Sequence, residues 1–193
     1  MINRLGLFIV LVIFVLIQTG CAEQSTRMSL NSSNPRVIWE VKPQADLENI
    51  TGEQISTPEF KMSDYVKGVV PGTVFTAYVE AGTVPDPNYA DNIYKVDETF
   101  YNRPFWYRTE FELPSSYSEG KRVWLHFDNT NRFADFYFNG EKISGTKTST
   151  KDVSGHMLRS KFDVTNLVKK SGKNVIAVLI TDADHKKTRK AKD

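Results

Sequence analysis

The chain has one cysteine, three histidines and, past its first seventeen residues, no long apolar run. With Cys21 the sole cysteine, no disulfide holds the mature fold. His126 and His156 have no partners at metal-ligand spacing, so both read as structural residues and no metal or cofactor is expected. A net charge of +2 gives no field that would draw nucleic acid or an acidic partner. Low-complexity blocks are also missing. At 193 residues with 12% aromatic and 25% charged side chains, the chain has enough to bury one core and too little for two.

What is present begins with a targeting pattern. Asn3-Arg4 is a short basic region, Leu5 to Ile17 is almost wholly apolar, and Gln18-Thr19-Gly20-Cys21 follows. The run is thirteen residues, short of the ~20 that span a bilayer as a helix, so residues 1–20 read as a secretory signal. Cys21 stands where a bacterial lipoprotein signal carries its lipid, although Gln18 replaces the usual apolar residue; plain secretion with a bystander cysteine is the alternative. Lipidation would place the protein on a membrane in the periplasm, outer membrane or cell surface. Residues 21–35, rich in Ser, Asn, Gln and Thr, read as a flexible tether.

Residues 36–182 carry the folded pattern. Pro104 to Gly145 holds three segments, PFWYRTEFELP, RVWLHFDNT and ADFYFNGEKISG, and predicts a β meander. In the second, Val123, Leu125 and Phe127 alternate with Trp124 and His126, giving a core face and a partly exposed one. Asn139-Gly140 is a two-residue type I′ hairpin signal, since both positions need positive φ. Val37 to Val41 predicts a first strand ended by Pro43, and residues 44–64 a long loop with a short strand near Phe60. Thr73 caps a short helix that Gly82 terminates. Val84 to Asn92, with two prolines, predicts a loop; Met157 to Thr165 predicts a strand, and the apolar run Val175 to Ile180 the central strand. Short strands, one short helix and Gly-rich turns make this an all-β chain, a jelly-roll β-sandwich.

The segments VPGTVFTAYVEAG, PDPNYADN, PFWYRTEFELP, RVWLHFDNTNRFADFYFNG, KFDVTNLV and GKNVIAVLI, in this order, resemble the N-terminal domain of glycoside hydrolase family 2, in its β-mannosidase and exo-β-glucosaminidase branch. The resemblance implies a galactose-binding-domain-like sandwich of two antiparallel sheets and an association with carbohydrate, as a β-linked glycan. Family members continue into an immunoglobulin-like domain and a (β/α)8 barrel that supplies both catalytic glutamates. The resemblance therefore implies a non-catalytic sugar-binding domain whose partners include those catalytic domains, with a free-standing carbohydrate-binding lipoprotein as the alternative. The basic tail, residues 183–193, then reads as an interdomain linker or a solvated end.

Candidate sites follow from the same likeness. Asp86 to Asn92 resembles the family's DPYYGxN-like segment, which lies toward the barrel; Asp86 and Asn92 suit hydroxyl recognition and Tyr89 a sugar face, against the plainer reading that both Asx residues brace the loop. Asn102 is similar to a position from which relatives send an asparagine into their pocket, and Asp182 and Asp184 to a place that holds an acidic residue facing it; the competing reading of both is a solvated strand end. Trp106 and Tyr107 read as core. Glu110 and Glu112 share a strand face without any motif that makes them a catalytic pair, so no catalytic residue is assigned.

Overall fold

In the computed structural model the described residues are 27–117, 120–144 and 153–181, with the side chains of Arg132 and of residues 153–158 excepted. Among the described residues seven antiparallel strands form the fold: β1 (Trp39–Pro43), β2 (Val66–Gly68), β3 (Phe105–Phe111), β4 (Trp124–Phe138), β5 (Glu141–Lys142), β6 (Val153–Asp163) and β7 (Asn174–Thr181). They run in the order β2-β1-β3-β7-β4-β5, with β6 also paired to β4.

The chain is a β-sandwich whose two layers are joined through β4. The Phe127 and Phe136 rings, nine positions apart on that strand, lie 4.4 Å apart between centroids. A straight strand would separate them by about 30 Å. The strand therefore doubles over, and it does so where its register with β6 slips, between Phe127 and Thr130 and between Thr130 and Arg132. Its first part pairs with β6 and its second with β7, and Phe162 of β6 closes on Phe136 at 5.0 Å.

This corrects the meander. Trp124 to Phe127 and Ala134 to Phe138 are two ends of one strand, and β3 is not a neighbour of β4, because β7 lies between them. Alternation assigns faces but not neighbours. The run from Val175 to Leu179 is buried throughout, so β7 needs a partner on each edge and cover on each face, and it takes the centre as predicted. The Asn139-Gly140 turn forms as read, with φ of 48° and 91°, and pairs Phe138 with Glu141.

Between the layers lies the larger core, including Trp39, Val41, Phe105, Tyr107, Phe136, Phe138 and Val178. Each fully buried phenylalanine there contributes roughly 1.5–3 kcal/mol. Met28 and Leu30, within the stretch read as tether, pack on this core, and the Trp39 Nε1 donates to Leu30 O at 2.7 Å.

The outer face of the sheet is also covered. Residues 44–64 form no strand near Phe60; the strand in this region is β2, at Val66–Gly68. Helix α1 (Gly52–Ile55) opens on a capping box in which Thr51 and Gln54 satisfy each other's backbone N–H groups. It seats Ile55 against Trp106, Tyr137, Ala177 and Leu179. Arg108, 1% exposed, ties this cover down: it donates to the carbonyls of Ile55, Thr57 and Phe60 and to the carboxylates of Glu40 and Glu110 at 2.6–3.1 Å.

Candidate functional site

The site is built at the end of the sandwich where two short helices bracket a loop. Helix α2 (Val74–Glu80) starts at the predicted Thr73 cap, whose hydroxyl accepts from Thr76 N at 3.1 Å. It ends before Gly82, where φ is +72°, a conformation that glycine adopts without strain. Helix α3 (Glu98–Tyr101) is capped by Asp97, which accepts from the Thr99 N–H at 3.0 Å and from its hydroxyl at 2.5 Å. Those two bonds, the hydroxyl's first, hold the Asp97 carboxyl below the usual range.

Between the caps, the loop is braced by its own side chains. Asp86 Oδ1 accepts from the backbone N–H of Asn88 at 2.8 Å and from its side-chain amide at 3.1 Å. Asn92 Nδ2 donates to Asp86 O at 3.0 Å, and Lys95 joins Asp91 at 2.8 Å and Asn92 at 3.3 Å. Asp86 and Asn92, two of the residues singled out from sequence, are thus brought together, and each has a bracing role. Tyr89 projects outward, 73% exposed, alongside Ile93 at 51% and Tyr94 at 88%. Ala90, where the family segment has glycine, takes φ +49°.

Behind the loop, Tyr78, Phe100 and Tyr101 meet edge to face, with centroids 5.0–5.7 Å apart, and Arg103 lies over Phe100 at 4.7 Å. These rings, with Thr83, Lys95 and Asp97, line a cleft of about 370 Å³. Burial, reinforced by the Asp97 carboxylate, raises the Tyr101 hydroxyl above its ordinary value, so it remains a donor at neutral pH. Asn102 is exposed at the end of α3, with its N–H on Glu98 O at 3.2 Å. Asp182, Asp184 and Cys21 lie outside the described residues.

The other residues weighed from sequence serve the fold. Trp106 and Tyr107 are buried in the two cores, and His126 is exposed on β4. Burial alone would raise the Glu110 pKa, but hydrogen bonds from Lys173, Lys61 and Arg108 outweigh it and hold the carboxyl down at about 2. A carboxylate so committed carries no proton to give near neutral pH. Sequence reasoning missed Arg108 and the aromatic corner. Among the described residues, no group of three or more His, Cys, Asp or Glu is arranged to hold a metal.

Residues 39–193 match the family model described as Glycosyl hydrolase 2 galactose-binding domain-like. The chain is 33% identical over 156 residues to the mannosylglycoprotein endo-beta-mannosidase of Lilium longiflorum, an alignment covering 76% of this chain and 15% of that protein. It is 30% identical over 126 residues to the exo-beta-D-glucosaminidase of Streptomyces avermitilis, covering 65% and 13%. The crystal structure of the Amycolatopsis orientalis exo-chitosanase CsxA superposes with a TM-score of 0.64 at 26% identity, over 76% of this chain and 16% of that one. The chain thus spans 13–15% of the length of these two curated relatives.

Proposed function

The chain belongs to the galactose-binding-domain-like family of glycosyl hydrolase 2, and from that premise we propose that it is a sugar-facing, non-catalytic module whose loop 84–97 meets a β-linked glycan beside a domain that cleaves it. The relatives' names specify β-mannosides and β-D-glucosaminides, and a glycan of that class is the ligand proposed. The observation that carries the reading is the loop itself. Braced by Asp86, Asn92 and Lys95, it holds Tyr89 and Tyr94 outward at 73% and 88% exposure, so the loop beneath the two rings is already ordered when a partner covers them.

Each proposed contact has a chemical part. The Tyr89 ring offers its face to the C–H side of a pyranose, while the side chains of Asp86, Asn92 and Asn102 offer directional donors and acceptors to hydroxyls. Asp182 and Asp184, next after β7 in sequence, belong to the same proposal. Retaining hydrolysis needs two carboxyl groups about 5–5.5 Å apart, one of them protonated at the right moment. With Glu110 held ionised by three cations, that pair is assigned to the neighbouring catalytic domain, on the same polypeptide or another.

The test is calorimetric titration of the full chain with β-linked mannose and glucosamine oligosaccharides, for the wild type and Tyr89→Ala. Binding that weakens at least about tenfold, the ~1.4 kcal/mol of a lost ring contact, supports the reading. Identical binding by both rejects it. Micromolar binding by the chain alone favours a free-standing module; binding only in the presence of a catalytic domain favours a component of an enzyme. Export and anchoring through lipidated Cys21 are part of the proposal; incorporation of labelled palmitate that Cys21→Ser abolishes would support them, and equal labelling of both proteins would reject them.

A further inference from the structure

We propose that the cleft between α2, the loop and α3 is a second subsite, separate from the outward face of the loop, and that it takes a neutral hexopyranose unit. Its volume, about 370 Å³, falls within the range of small-molecule sites. Tyr89, Ile93 and Tyr94 do not line it, so a ligand there is distinct from one on the loop's outer side.

The walls select for a flat, C–H-rich ligand. Tyr78 stands at 68° to Phe100 and 84° to Tyr101, and the last two stand at 81° to each other. All three rings line the cleft and are only partly buried, with Arg103 over one face of Phe100 at 4.7 Å. An aromatic face is electron-rich and attracts the weakly positive C–H hydrogens on one side of a pyranose.

The rim selects against charge. Its lining carries one cation, Lys95, already paired with Asp91, and one anion, Asp97, with the Arg103 guanidinium beside Phe100. A phosphate or carboxylate ligand would be drawn by the first and repelled by the second, and a cation the reverse. A hydroxyl both donates and accepts, so it pairs with either. Lys95 has three N–H donors, two of them on Asp91 and Asn92, which leaves one for a ligand. The hydroxyl of Tyr101, kept protonated, adds another donor.

The experiment is a titration of the isotopically labelled full chain with methyl β-D-mannopyranoside, followed by amide chemical shifts. The expected result is millimolar binding with shifts at Thr83, Lys95, Asp97 and Tyr101, weakened about tenfold by Tyr101→Ala, the ~1.4 kcal/mol of one ring contact. Lys95→Ala, which also gives up the brace to Asp91 and Asn92, is expected to weaken the response at the cleft severalfold, and Tyr89→Ala to leave the shifts at Thr83, Lys95, Asp97 and Tyr101 unchanged while removing any at residues 86–94. Shifts confined to residues 86–94 and abolished by Tyr89→Ala would overturn this subsite while upholding the outward-facing contact proposed above. Binding indifferent to both Lys95→Ala and Tyr101→Ala, a response to inorganic phosphate at Lys95 matching that to the sugar, or no shift at all, would overturn it outright.

Discussion

Replacing Arg108 by methionine removes the guanidinium that joins the sheet to its outer cover and keeps most of the side chain's apolar length. In the native protein this 1% exposed group serves five acceptors, the carbonyls of Ile55, Thr57 and Phe60 and the carboxylates of Glu40 and Glu110. Glu110 retains Lys61 at 2.9 Å and Lys173 at 2.6 Å, so its loss is small. Glu40 keeps a carboxylate only 19% exposed with its buried partner gone, and the three carbonyls lose their Arg108 donor. Removing one member of a buried ion pair costs about 3–5 kcal/mol, and the carbonyl losses overlap with that figure because the same segment detaches. For a domain of this size the cost corresponds to a fall of roughly 6–20 °C in Tm. Thermal and urea unfolding followed by circular dichroism provide the assay, with Arg108→Lys as the companion variant. A lysine keeps the charge but cannot fork between carboxylates and carbonyls, so it should recover only part of the loss. A cost below about 1 kcal/mol for Arg108→Met would refute the claim that this residue pins the cover to the sheet.

Three further perturbations follow from the same coordinates. Glu110 titrates at about 2 in the fold against 4.5 unperturbed, so its contribution is fully present above pH 4.5 and is lost as pH falls toward 2. It amounts to ~3 kcal/mol at full strength and on the order of 1–2 kcal/mol after solvent screening of Lys61 and Lys173; an acid titration of stability should show that loss and Glu110→Gln should flatten it. Gly52→Ala would place a methyl carbon 2.3 Å from Tyr137 Cζ, so the helix or the ring must move; a loss of ~1–3 kcal/mol is expected in urea unfolding. Ala90→Gly should stabilise the protein by about 0.5–1 kcal/mol, as ~1–2 kcal/mol of left-handed strain is relieved and part is returned to the unfolded chain's entropy; a lower urea midpoint would show the strain to be absent.

Local signals were legible in the sequence, and long-range ones were not. Asn139-Gly140, the Thr73 cap and the apolar run of β7 depend on residues within one turn or one strand, and each forms as read. The doubling of β4 depends on two register slips that fall at Asp128-Asn129-Thr130-Asn131, short polar residues that mark a break without showing that one strand runs through it. The outer cover was hidden for a related reason. Arg108 and Glu110 alternate as a solvent-facing strand side would, and only the arrival of Ile55, Phe60 and Met62 from a stretch that looked like loop makes that side interior. One signal was available there, the Thr51–Gln54 capping box of α1. At the site, the motif located the loop at Asp86 to Asn92. Its side chains first satisfy one another, because short Asx residues bond nearby backbone before they bond anything else. The aromatic corner gave no such sign: Tyr78 and Tyr101 are twenty-three positions apart, and their meeting depends on where α2 and α3 end.

The central claim is that this domain contacts sugar and leaves bond cleavage to carboxylates elsewhere. It is tested most directly by incubating the full 193-residue chain with chromogenic β-mannoside and β-glucosaminide, with Glu110→Gln and Glu112→Gln in parallel. The account predicts that no chromophore is released above the buffer rate by any of the three proteins. Steady turnover by the wild-type chain that either substitution abolishes would contradict it.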